Sequence, residues 1–213
     1  ARHIPLSGTF ELTPRCNMDC RMCYVRMTQE EMDATGGHIR TPEEWLRLGE
    51  AAKNAGMLYL LLTGGEPFLY PGFRQVYEGL SQMGLVLSIN SNGTLLNEEW
   101  VDWLAARKPE RINVTLYGGS NETYGRLCRN PSGFDRVTEN IRRLRQAGIT
   151  VKLNCSLTPW NAEDLEQIVA FAEEYGLILE VATYMFPSVR RDERKAGQNA
   201  RFTPEEAAYY RCK

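Results

Sequence analysis

Three cysteines, Cys16, Cys20 and Cys23, stand in the order C-x3-C-x2-C within the stretch RCNMDCRMCYVRM. Thiolates that close along the chain can hold one metal centre without a distant partner. Soft thiolate ligands select iron–sulfur clusters, zinc or Cu(I). A zinc site closes its tetrahedron with a fourth Cys or His. The two histidines, His3 and His38, sit at no usual zinc spacing from the trio. Cubane iron–sulfur clusters usually take four cysteines. Three at this spacing would leave one iron with an open position, where a ligand could bind.

A second stretch, Thr63-Gly64-Gly65-Glu66-Pro67, follows the apolar run LYLLL at 58–62. Taken singly, the two stretches are consistent with a structural zinc knot and an ordinary Gly-Gly turn. Taken together, with Tyr24 directly after the last cysteine, they resemble the signature of the radical S-adenosylmethionine (radical SAM) enzymes. The resemblance implies that Cys16, Cys20 and Cys23 hold three irons of a 4Fe–4S cluster. The open iron is then chelated by the amine and carboxylate of S-adenosylmethionine. It implies that the backbone around Met22 and Tyr24 lies near the adenine, and that Met185 marks a strand end where backbone meets the same ring. The motif Gly64-Gly65-Glu66-Pro67 would hold the methionine amine with its glycine carbonyls and the Glu66 carboxylate, glycine allowing close backbone approach. Thr115, Asn154 and Ser156 would reach the cofactor, and Arg126 would pair with the methionine carboxylate. No catalytic acid or base is identified. Cys155 reads as a buried structural cysteine, Cys128 as inert for want of a partner motif, and Cys212 as a lone cysteine in a helix.

The elements that must position these residues follow from periodicity. Over 7–13, Thr9, Glu11 and Thr13 alternate with Phe10 and Leu12, the period of a strand. Residues 27–40 are polar, contain Gly36-Gly37 and read as a loop. Thr41-Pro42-Glu43-Glu44 carries an N-cap, a first-turn proline and a capping box, and Trp45, Leu48, Ala52 and Ala55 follow at helical spacing. Strands are expected at 58–62, 85–90, 111–116, 149–157 and 177–185. Helices are expected at 71–83, from the cap Asn97 through Leu104, at 134–147, and from the cap Asn161 to Tyr175. Thr203-Pro204-Glu205-Glu206 repeats the helix-start chemistry. Strand and helix alternate six times, as in consecutive βαβ units with a parallel sheet. An eight-stranded barrel usually needs about 250 residues, so the expected fold is α/β, a six-unit partial (β/α) barrel of parallel strands. This is the fold the resemblance implies too. It would occupy 1–187, with 188–213 a charged loop and the start of a helix leading towards a C-terminal extension.

Several of these strands are too polar for an ordinary parallel sheet, whose strands read as near-continuous Val, Ile and Leu. Asn113 and Thr115 share one face of the fourth, with Ile112, Val114 and Leu116 on the other. Lys152, Asn154 and Ser156 alternate with Leu153 and Cys155 in the fifth; Ser88 and Asn90 share a face of the third. If the apolar faces meet the helices, the polar faces line the interior, where unpaired groups call for water or a polar ligand. The Cys loop, GGEP, Ser91-Asn92, Tyr117-Gly118-Gly119 and Thr158 all follow strand ends and should gather at one mouth.

The 213 residues carry 25 basic and 27 acidic side chains for a net charge of −2. This balance gives no nucleic-acid footprint. No apolar run is long enough for a membrane span and the first residues show no signal pattern, so a cytoplasmic location is expected. Six cysteines, half of them in one motif, suit a reducing compartment better than a disulfide framework. The expected partners are an electron donor such as a flavodoxin or ferredoxin and a peptide, protein or small-molecule substrate. The stretch Thr115-Leu116-Tyr117-Gly118 stands where radical SAM enzymes often have Ser-x-Asp-Gly. It looks like the variant of the SPASM group of peptide and protein maturases, which would make the chain a peptide-modifying radical enzyme. The alternative is a non-enzymatic iron–sulfur protein for electron transfer or redox sensing, which would have no use for GGEP or a polar barrel interior.

Overall fold

The apolar alternation settles into six strands: β1 (Ser7–Glu11), β2 (Tyr59–Thr63), β3 (Val86–Ser91), β4 (Arg111–Thr115), β5 (Val151–Ser156) and β6 (Ile178–Ala182). The structure is a computed structural model describing residues 4–185 and 201–212. The strands form one parallel sheet in the order β1-β2-β3-β4-β5-β6. It is an open sheet, a partial barrel, because β1 and β6 are not joined. One face of each inner strand is dry: Leu60, Leu62, Leu87, Ile89, Ile112, Val114, Leu153 and Cys155 are all at most 4 % exposed. The helices cover that face. The other face carries Ser88, Asn90, Asn113, Thr115, Asn154 and Ser156, and it looks into the concave interior. There Asn113 Nδ2 donates to Asn90 Oδ1 at 2.7 Å, tying β4 to β3. Tyr59, in the apolar strand β2, is about half exposed, since its face also looks into the open interior.

The helices are α1 (Gln29–Ala34), α2 (Pro42–Asn54), α3 (Phe73–Gln82), α4 (Glu98–Ala105), α5 (Asn121–Cys128), α6 (Gly133–Gln146), α7 (Leu165–Glu174) and α8 (Pro204–Cys212). The capping boxes at Thr41/Glu44 and Thr203/Glu206 form as their sequence predicts, and Asn97 caps α4 through the Trp100 N–H at 3.1 Å. Three expectations fail. Residues 27–40 are not all loop: Thr28 and Glu31 build a complete capping box and start α1, a helix that buries only Met32. One buried side chain in six residues leaves almost no periodicity to see. Helix α5 was not anticipated either; Ser120 caps it through the Thr123 N–H at 3.2 Å. Asn161 caps nothing, because its side chain is used elsewhere, and a 3-10 turn (Ala162–Asp164) precedes α7. The charged run 190–195 and most of the expected boundary between 1–187 and 188–213 lie outside the described residues. Among the described residues no helix is long and apolar enough to cross a membrane.

Candidate functional site

The loop that carries the three cysteines leaves the end of β1 and is fastened by backbone bonds on two sides. On one side it meets GGEP: Gly65 N donates to Thr13 O at 2.7 Å and Glu66 N to Arg15 O at 2.8 Å. The glycines are required by this approach. A Cβ at Gly64 would stand 2.4 Å from Thr13 O, and one at Gly65 would stand 2.3 Å from Arg15 O. The close contact glycine permits is therefore with the cysteine loop itself, immediately before Cys16. On the other side the loop meets the end of α5: Asp19 N donates to Cys128 O at 3.1 Å and Arg21 N to Leu127 O at 3.0 Å. Arg129 ends that helix in the left-handed region, φ 54°, and pairs with Asp19 at 3.3 Å.

The thiols sit among donors. Cys16 Sγ accepts from Met18 N at 3.4 Å and from Asn92 Nδ2 at 3.6 Å, and Cys23 Sγ accepts from Arg26 N at 3.2 Å. Cys20 is buried beside Cys128 and the Tyr117 hydroxyl. Burial pushes Cys16 up to about 12. The Cys128 thiol, and then burial, push Cys20 well above its usual range. Thiols this reluctant to ionise become thiolates when a cation takes the place of the proton. Among the described residues no three His, Cys, Asp or Glu side chains converge tightly enough for a single metal ion. All three cysteines line one cavity.

That cavity has a volume of about 300 Å³ and is lined by Cys16, Cys20, Cys23, Tyr24, Gly64, Gly65, Thr115, Asn154 and Ser156 from the expected set, together with Asn90, Ser91, Asn92 and Tyr117. The donors and acceptors here are those a zwitterionic amino acid joined to a nucleoside needs: glycine backbone, amides and hydroxyls. Asn154 Oδ1 is buried with no hydrogen-bond partner. An acceptor in that state lacks a donor that a polar ligand would bring.

Five residues of the expected set, Met22, Glu66, Pro67, Arg126 and Met185, are not among those lining the cavity. Glu66 is 0 % exposed, and its carboxylate is taken up by protein donors. Its carboxylate accepts from Ser91 Oγ at 2.9 Å, Asn92 N at 2.8 Å and Phe68 N at 3.3 Å. Burial raises it to about 7 against these donors. It brackets GGEP to the end of β3, and Pro67 is buried in the 3-10 turn beyond (Pro67–Leu69). Arg126 points to the surface, where it binds Glu163 at 2.6 Å and the Trp160 carbonyl at 3.1 Å; an exposed helix position gave it an acidic neighbour before it could reach inward. Met22 is buried in the core, and Met185 packs against the core's margin. Of the strand-end groups, Thr158, Gly118 and Gly119 are not among the residues lining the cavity. Thr158 is buried against Asn161, and Gly119 N donates to Asp164 Oδ2 at 2.7 Å.

Residues to which the sequence assigns no part in holding the loops organise the mouth. Asn92 donates to Asn17 Oδ1 at 2.9 Å and accepts from Thr94, and Asn17 Nδ2 donates to Thr94 Oγ1 at 2.8 Å, so the end of β3 grips the cysteine loop. Asn161 is 0 % exposed. It accepts from Thr158 N and Oγ1 and donates to Tyr117 O at 2.9 Å and Ser156 O at 3.1 Å, stapling the loops after β4 and β5 together. The Tyr124 hydroxyl accepts from Tyr117 N at 3.1 Å. Its place directly after a strand marks Asn92 for the mouth but not its bonds to Asn17 and Thr94; nothing local distinguishes Asn161 from a helix cap.

Residues 10–172 match the family model of the Radical SAM superfamily. An AdoMet-dependent heme synthase of Methanosarcina barkeri is 29 % identical over 184 residues, covering 86 % of this chain and 52 % of that protein. A probable GTP 3',8-cyclase of Saccharolobus islandicus is 33 % identical over 168 residues, covering 78 % of this chain and 52 % of that one. The chain thus spans about half the length of the curated relatives it matches. Among solved structures, Streptococcus suis SuiB bound to its precursor peptide SuiA shares the fold with a TM-score of 0.71 at 20 % identity, over 84 % of this chain and 39 % of SuiB. The match over 10–172, more than half the chain, together with the thiol trio and the glycine pair at one cavity, places the protein in the radical SAM superfamily, whose cofactors are a 4Fe–4S cluster and S-adenosylmethionine.

Proposed function

We propose that this chain is the catalytic core of a radical SAM enzyme that modifies a peptide or protein. The observation that carries the reading is the convergence of Cys16, Cys20, Cys23, Gly64 and Gly65 on one polar cavity whose wall holds the unpartnered Asn154 Oδ1. Bound there, the reduced cluster would cleave S-adenosylmethionine to methionine and a 5′-deoxyadenosyl radical that takes hydrogen from the substrate. Cys16, Cys20 and Cys23 would hold the cluster as thiolates. Gly64 and Gly65 present carbonyls to the methionine amine, and Glu66 fixes their position from behind. Thr115, Asn154 and Ser156 orient the polar groups of the cofactor across the cavity, with Tyr24 at the rim. Placement of this kind matters because a misplaced reacting pair costs orders of magnitude in rate.

The peptide substrate rests on the likeness of the Tyr117-Gly118 stretch to the SPASM maturases and on the fold shared with SuiB, whose structure contains a precursor peptide. The relatives of higher identity, named as a heme synthase and a GTP cyclase, favour a small molecule as the second reading. The reading further includes a cytoplasmic flavodoxin or ferredoxin as electron donor.

The complete gene product, reconstituted without oxygen, is expected to take up one 4Fe–4S cluster. It is expected to form 5′-deoxyadenosine under strong reduction, faster with a peptide substrate than with small metabolites. Changing Cys16, Cys20 or Cys23 to Ala should abolish the cluster absorbance and the product. A wild-type protein that holds its cluster but makes no deoxyadenosine would be an electron-transfer or sensing protein instead. Stimulation by a small molecule alone would move the substrate to the second class.

A further inference from the structure

Trp45 belongs to the apolar face of α2 and is 6 % exposed. Its indole Nε1 is buried with no hydrogen-bond partner. A buried donor in that state costs free energy until something accepts from it. The ring is held in place: Phe10 packs against it at 4.8 Å between centroids, and the Arg40 guanidinium lies 5.3 Å over its face.

The same indole helps to line a pocket of about 210 Å³, separate from the cavity of the cysteines. Leu12, Pro14, Met27, Met32 and Ile39 supply an apolar wall. Two thioethers in that wall make it adaptable to the shape of an apolar guest. The volume lies below the roughly 300–1,000 Å³ of sites that enclose a whole small molecule. It suits one side chain together with its neighbouring carbonyl, and that carbonyl is the acceptor the indole N–H lacks.

The pocket adjoins the loop that carries the cysteines. Pro14 stands just before that loop and Met27 just after it, and Met27 N donates to Pro14 O at 3.1 Å. One wall of the pocket is therefore the neck of the cysteine loop. The pocket also lies at the end of β1, which pairs with β2 alone among the described strands. Extended peptides bind at such edges, where main-chain bonds supply affinity and side-chain pockets supply specificity.

Resting on the peptide-modifying reading above, we infer that this pocket is a recognition subsite for the substrate. It takes one apolar side chain of the peptide, and Trp45 Nε1 donates to a carbonyl oxygen of the same segment.

The test uses the complete protein, reconstituted anaerobically and labelled with nitrogen-15 in its indoles and carbon-13 in its methionine methyls. The probe is N-acetyl-leucinamide, with N-acetyl-serinamide as the polar control. The indole signal lost in W45F belongs to Trp45, and M27L and M32L identify the two methyls in the same way. The leucine probe should move the Trp45 N–H downfield, shift the Met27 and Met32 methyls with it, and saturate. The serine probe should need about tenfold more, for want of an apolar side chain to bury. W45F keeps a ring and loses the donor; followed by the methyls, it should bind the leucine probe about fivefold more weakly. If W45F does not fold, the wild-type indole shift decides alone. Equal response to both probes, or none to either, overturns the inference. So does a Trp45 N–H that is already protected from exchange and unmoved by the probe, because another part of the chain would then fill the pocket. A leucine probe that binds while deoxyadenosine formation responds only to small metabolites overturns the assignment to the substrate. A protein that makes no deoxyadenosine overturns the proposed function itself; one that makes it with a silent Trp45 overturns only this inference.

Discussion

Glu66 shows how a residue can matter to a cavity it does not touch. Its carboxylate satisfies Ser91, Asn92 and Phe68 in a dry place, and burial raises its pKa to about 7. A carboxyl that ionises near 4.5 unfolded and near 7 folded takes up a proton on folding at any pH between. Stability therefore falls as pH rises through that window, by about 3 kcal/mol in all, and is flat on either side. E66Q should remove this slope, and chemical denaturation of both proteins from pH 4 to 8 measures it; parallel curves would show that Glu66 does not titrate there. Asn154 is the opposite case, a side chain whose Oδ1 has no protein partner. N154A should leave stability unchanged or slightly higher, since it removes an unsatisfied buried acceptor, and should weaken S-adenosylmethionine binding roughly fivefold. Calorimetric titration of the cluster-loaded protein reads the second effect. A loss of stability with unaltered binding would mean that Asn154 is structural.

Strands and helices with strong periodicity were legible in the chain, and the short or irregular pieces were not. The alternation Asn113, Thr115 against Ile112, Val114 predicts the direction of the faces, because one face must be dry. Helix α1 escaped because it buries a single residue, and α5 because its apolar residues, Tyr124, Leu127 and Cys128, span little more than one turn. Glu66 and Arg126 were assigned by family resemblance to the cofactor, but local sequence does not say which way a loop carboxylate turns, nor that Glu163 waits beside Arg126. Asn161 illustrates the same limit, since a staple and a cap share one residue type. N161A strands Thr158 N and the carbonyls of Tyr117 and Ser156 without partners. It should cost about 3 kcal/mol or more in a denaturant titration. N161D should be worse at neutral pH, because it sets a carboxylate oxygen against the two carbonyls. An N161D protein as stable as the wild type would rule the staple out.

At the scale of the molecule, the open sheet offers a concave face that is polar on β3 to β5, with a second cavity of about 530 Å³ beside Thr9, Tyr59, Leu61, Ser88, Arg111 and Asn113. The cofactor region is a small part of this interior, fastened to GGEP, β3 and α5 through the cysteine loop. Removing the cluster should therefore loosen those attachments and spare the sheet. Hydrogen exchange with and without the cluster is expected to lose protection at Asp19, Arg21, Gly65 and Glu66, whose N–H groups make the fastenings. Protection in β3 to β5 should persist. Uniform loss across the sheet would mean that the metal site holds up the whole fold.

The strand order has a consequence for how the protein is made. Because every strand pairs with its neighbour in sequence, each unit can dock on the one before it as the chain leaves the ribosome, amino-terminal end first. The cysteines emerge with the first unit. Leu127 and Cys128, whose carbonyls hold their loop, emerge only after β4. The nascent chain thus exposes three adjacent thiols, with no finished socket around them, until residue 128 has been made. Iron delivered during that interval would find a flexible, hydrated loop, and the settled site exists only after the fourth strand and its helix have arrived. Cluster insertion is in this sense scheduled by topology: it belongs after translation has passed α5.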